Sequence, residues 1–116
     1  MKLTGQCKID FEKWYLKLVE DLREDYHGYH KSIVLSKFYR EIPSMQYGVI
    51  VDFFDANDII IEITLEAYYQ VHINKSWQKN NSDTLHEARE KAVEAANNIY
   101  NEKADIPPRT DNIWAP

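Results

Sequence analysis

Between Gln46 and Asn74 apolar residues recur at every second position, whereas the stretches on either side repeat at helical spacing. This switch of period limits the chain to a fold that combines helices with an antiparallel sheet. Tyr47, Val49, Val51 and Phe53 alternate with Gly48, Ile50, Asp52 and Phe54. Ile59, Ile61, Ile63 and Leu65 alternate with Ile60, Glu62, Thr64 and Glu66, and Tyr69, Val71 and Ile73 with Gln70, His72 and Asn74. A polar break at Asp55-Ala56-Asn57-Asp58 separates the first run from the second, so three strands are expected. Glu66-Ala67-Tyr68 lacks Gly, Pro, Asn and Asp, and residues 59–76 therefore also admit one long bent strand.

Helical patterns frame the strands. Phe11, Trp14, Tyr15, Leu18 and Leu22 share one face, with Glu20, Asp21, Arg23 and Glu24 on the other, and Gly28 marks the end of that first helix. Val34, Leu35 and Phe38 predict a short second helix that stops before Pro43. The polar stretch Lys75 to Asp83 reads as a loop. It leads into Thr84-Leu85-His86-Glu87, a capping-box pattern that starts a last helix. The buried stripe of that helix would comprise Leu85, Ala88, Ala92, Ala96 and Ile99, facing the strands. The expected fold is α+β: a three-stranded antiparallel meander with the N- and C-terminal helices packed on one face and a short second helix. At 116 residues the chain suits a single core. Residues 1–103 are expected to form one α+β domain and residues 104–116, with Pro107-Pro108, an extended tail in which Trp114 is a candidate contact.

A formal net charge of −5 disfavours broad binding to nucleic acid or anionic membranes, which depends on clustered Lys and Arg. Eight Tyr, three Trp and four Phe serve a small core and an adhesive protein surface equally well. Cys7 is the only cysteine, so no internal disulfide and no cysteine-based zinc site can form, and a reducing, cytoplasmic location is expected. The first residues turn polar before a signal-peptide core could form, and nowhere do about 18 apolar residues run together, so no membrane association is expected.

The segments 10–17 (DFEKWYLK), 44–55 (SMQYGVIVDFFD) and 87–101 (EAREKAVEAANNIYN) resemble a group of small uncharacterised proteins encoded by Bacteroides-type bacteria and their phages or prophages. The likeness covers most of residues 4–103 in order. It implies a phage- or mobile-element-related accessory protein and assigns no chemical role to any residue.

One candidate site follows from register. A three-residue loop at Ala56-Asn57-Asp58, with Asn57 in the left-handed conformation, pairs Phe53 with Ile61 and Val51 with Ile63 on the core face. A second three-residue loop at Glu66-Ala67-Tyr68 pairs Ile63 with Val71. The outer face then carries Asp52, Glu62 and His72 in one row. Facing carboxylates repel, and an imidazolium, a basic protein partner or a cation would relieve them. His27 and His30 read as polar caps near a helix end rather than as metal ligands. No HExxH, GxSxG, P-loop or GxGxxG occurs, so no metal, no cofactor and no enzymatic activity are expected. The function expected is a small non-enzymatic protein-interaction module. The alternative is a weak double-stranded nucleic-acid binder, since helix, three strands, helix is the order of double-stranded RNA-binding domains. Its contacts would be Lys75, Lys79, Arg89 and Lys91, with Asp83, Glu87 and Glu90 opposing them.

Overall fold

Four helices and three strands succeed one another in a computed structural model that describes residues 1–22 and 30–105. They are α1 (Gly5–Leu22), α2 (Lys31–Tyr39), α3 (Pro43–Ala56), β1 (Ile61–Leu65), β2 (Tyr69–Ile73), β3 (Ser76–Ser82) and α4 (Leu85–Asp105). The strands form an antiparallel meander in the order β1-β2-β3, as the α+β expectation requires. Two strands are not where the periodicity places them. The run expected as the first strand is helix α3, and the stretch expected as a loop is β3. Gly28, His27 and Trp114 lie outside the described residues, and α4 runs on through Asp105, into the stretch expected as tail.

Helix α3 wins over the strand pattern because its sequence satisfies a second period. Gln46, Ile50, Phe53 and Phe54 fall on one helical face and are all buried. Pro43 stands in the first turn, where its missing N–H costs nothing. Gln46 anchors the start of the helix by donating from Nε2 to the Tyr39 and Glu41 carbonyls, at 3.1 and 2.7 Å. At the other end, Ile59 N donates to Phe54 O (2.9 Å) and Asp58 N to Asp55 O (3.1 Å), with Asp58 at φ 62°. This is a Schellman closure in which buried Ile59 folds back toward buried Phe54. The segment Ala56-Asn57-Asp58 is thus the cap of a helix, not a hairpin loop, and the left-handed residue is Asp58 rather than Asn57.

The hairpin between β2 and β3 turns on two residues, Asn74 and Lys75, at φ 51° and 69°. Positive φ at both positions is the turn whose twist suits a two-residue hairpin, and Asn is well tolerated there. The Asn74 side chain also ties the turn to the start of β1: its Oδ1 accepts from Ile60 N (2.8 Å) and its Nδ2 donates to Asp58 O (3.2 Å). β3 itself is polar and half exposed, which hides it from a search for alternating apolar residues.

Helix α4 sits at the centre, in contact with all three strands and with α1 and α3. Its alanines Ala88, Ala92 and Ala96 are fully buried, and small side chains let the helix lie close to its neighbours. Val93 and Asn97 are buried as well, because α1 and α3 enclose a second side of the helix. α1 packs on α2, α3 and α4. There Phe11 lies with ring centroids 5.3 Å from Phe38 and 5.4 Å from Phe53, and Tyr100 of α4 lies 5.5 Å from Phe53. Aromatic contacts at these spacings add roughly 0.5–1.5 kcal/mol each beyond the area they bury.

Candidate functional site

Register in the sheet decides what its two faces display. Ile61 pairs with Ile73, Ile63 with Val71 and Leu65 with Tyr69, as the three-residue loop at Glu66-Ala67-Tyr68 demands. Ile61, Ile63, Tyr69, Val71 and Ile73 belong to or pack on the core. Alternation sends their neighbours to the opposite face. That face carries two rows across the three strands. Glu62 stands opposite His72, which stands opposite Trp77; beside them, Thr64 stands opposite Gln70, which stands opposite Asn81.

The predicted row is therefore partly assembled. Glu62 and His72 face each other as the register argument expects. Asp52 is not with them: it lies exposed on α3, because residues 43–56 form a helix. The third member of the row is Trp77, a residue the sequence reading missed when it took Lys75 to Asp83 for a loop. The signal for it was Asn74, the turn residue that starts β3.

Trp77 is 46% exposed, a large apolar surface left in solvent on an otherwise polar face. Thr64 Oγ1 lies 3.2 Å from His72 Nε2, which fixes the imidazole across the β1–β2 boundary. Glu62, Thr64, His72 and Lys75 line a shallow depression beside it. The face thus offers, within the span of three strands spaced about 4.8 Å apart, a carboxylate, an imidazole and an indole in a line. An indole face attracts cations and planar groups, and a carboxylate two strands away suits the same cationic side chain or its neighbour.

The basic residues proposed for nucleic acid are not gathered. Arg89 stacks over the Tyr47 ring at 5.1 Å, on the side of α4 that meets α3. Lys91 bonds Glu87 at 3.0 Å and donates to Asn81 O at 3.2 Å. Lys75 sits in the β2–β3 turn and Lys79, at φ 59°, in the irregular segment of β3. Two of the four cations are occupied by partners within the chain, and the start of α4 carries Glu87 and Glu90 beside them.

Of His27 and His30, the two histidines expected as caps, only His30 lies among the described residues. His30 is the N-cap of α2, its Nδ1 2.6 Å from Ser32 Oγ and accepting from Ser32 N. Among the described residues no three His, Cys, Asp or Glu side chains gather into a metal-ligating cluster. Cys7 is buried in the core, and burial pushes its thiol up to about 12, so it stays neutral and unreactive in the folded chain. No helix among the described residues is long and apolar enough to cross a membrane. Comparison with protein-family models, with curated proteins and with solved structures returned no match for this chain.

Proposed function

We propose that this protein is a non-enzymatic binding module that engages a basic protein partner through the sheet face carrying Glu62, His72 and Trp77. The observation behind the reading is Trp77, half exposed at the end of a row whose other end is a carboxylate. Trp is among the residues most enriched at binding hot spots, where its large ring is buried against the partner. An Arg or Lys of the partner, lying across the strands, would meet the ring face of Trp77 and the carboxylate of Glu62 together. The chain's net charge of −5 favours the approach of such a partner. A cytoplasmic setting, and the phage or mobile-element context implied by the resemblance, belong to the same proposal.

The test compares wild type with Trp77→Ala and Glu62→Gln as baits in a host lysate, with captured proteins identified by mass spectrometry. Each variant is expected to keep the wild-type thermal midpoint to within a few degrees and to lose the same basic protein. Truncating a hot-spot Trp costs about 2 kcal/mol or more, a loss of roughly 30-fold in affinity. An identical set of captured proteins for all three baits would refute the face as the binding surface. Salt-sensitive retention of RNA or DNA, abolished by Lys75→Ala with Lys79→Ala, would replace the protein partner by nucleic acid.

A further inference from the structure

We infer that two copies of this chain join edge to edge through β1, forming a continuous six-stranded sheet. The inference goes beyond the binding face and does not rest on it.

The two outer strands of the sheet are unlike. β3 has a register irregularity opposite Gln70–His72, and Lys79 within it has a positive φ, both of which spoil an edge for further pairing. β1 runs in unbroken register with β2, and its sequence, Ile61-Glu62-Ile63-Thr64-Leu65, contains no Pro, Lys or Gly. Asn74 N donates to Ile60 O and Glu66 N to Tyr68 O, so the even-numbered residues of β1 direct their backbone groups toward β2. Antiparallel alternation then turns the N–H and C=O groups of Ile61, Ile63 and Leu65 outward, and no other strand among the described residues meets them. Leu65 is 60% exposed beside them.

A second copy is the occupant this edge fits. An antiparallel two-fold pair must set outward residues opposite outward residues, which leaves few registers. Centring on Glu62 puts Glu62 against its own copy, and centring on Thr64 puts Glu62 against Glu66; both oppose like charges. Centring on Ile63 uses all five residues of β1. It places Ile61 against Leu65 of the second copy and Ile63 against Ile63, and opposes each Glu62 to a neutral Thr64. The two-fold axis stands perpendicular to the sheet, so both α4 helices remain on one side and both open faces on the other.

Sedimentation of the full chain from micromolar to near-millimolar concentration tests this, with Thr64→Glu and Thr64→Lys beside wild type. Wild type should show a monomer–dimer equilibrium. Thr64→Glu creates two carboxylate pairs across the axis and should raise the dissociation constant roughly 2- to 30-fold, while Thr64→Lys creates two opposite-charge pairs and should lower it by a similar factor. Amide exchange at Ile61, Ile63 and Leu65 should slow as concentration rises, with Glu62 and Thr64 protected throughout. A wild type that stays monomeric across the range overturns the inference, as does a dimer on which the two substitutions act in the same direction.

Discussion

Asp58 holds a φ of 62° at the position where a helix closes into a strand, a conformation that costs a side-chain-bearing residue about 1–2 kcal/mol relative to its right-handed alternative. Glycine adopts it freely but loses more entropy on folding, so Asp58→Gly is expected to raise stability by about 0.5–1 kcal/mol, read as a higher denaturant midpoint at unchanged m-value. If Ala56-Asn57-Asp58 were a hairpin loop with Asn57 left-handed, the same substitution would add flexibility and lower the midpoint. A different residue-scale economy appears at Ser82, whose hydroxyl is buried and has no hydrogen-bond partner among the described residues. Tyr100 and Tyr39 show the opposite arrangement. Their hydroxyls donate to Asp10 (2.6 Å) and Glu12 (2.8 Å), fastening α1 to α4 and to α2, and burial together with these bonds holds both phenols above their ordinary range.

At the scale of elements, α3 offers a direct check on the helix. Gly48 lies in its middle, exposed, with open space where a Cβ would stand. Gly48→Ala should therefore stabilise the fold by about 0.5–1 kcal/mol and leave far-ultraviolet circular dichroism at least as helical as before. A loss of stability would contradict the assignment of residues 43–56. How far the fold could be read from the sequence turns on this same segment. The helices at Phe11–Leu18 and Ala88–Ile99 were legible because their apolar residues repeat at one period only. β1 and β2 were legible, with the pairing of Glu62 and His72, because a one-residue slip would have moved Ile63 and Val71 out of the core. Residues 46–54 satisfy both periods, since Val49 and Val51 complete an alternation while Gln46, Ile50, Phe53 and Phe54 complete a helical face. Local pattern does not choose between them, and packing against Phe11 and α4 does. β3 was illegible for the reverse reason: Ser76-Trp77-Gln78-Lys79-Asn80-Asn81-Ser82 has almost no apolar alternation, and its position is set by the Asn74-Lys75 turn. The candidate site inherited both errors, losing Trp77 and gaining Asp52.

For the molecule as a whole, the buried Cys7 gives stability a defined alkaline limit. Burial raises its thiol from 9.0 to about 12 in the folded state, so the unfolded chain releases this proton first. Above the unfolded value the unfolded state binds fewer protons, and stability falls as pH rises. The contribution is fully present below pH 9 and is lost between about pH 9 and 12, with Tyr39 and Tyr100 adding losses in the same direction. Denaturant midpoints measured across this range should decline more gently for Cys7→Ala than for wild type over the first part of the window. Equal slopes would show that the thiol is accessible to water.

The start of α1 is held from the far side of the chain. Thr4 N donates to Asn97 Oδ1 and Cys7 N to Asn101 Oδ1, at 2.9 and 2.8 Å, while Asn97 Nδ2 and Asn101 Nδ2 return to Thr4 Oγ1 and O. Helices are usually capped by their own neighbouring residues, within a turn. Here the caps are supplied more than 90 positions later. During synthesis the first helix is made early, yet its end stays unfinished until Asn101 has left the ribosome. A nascent chain stalled before that residue would present α1 with frayed amides to any chaperone or protease nearby.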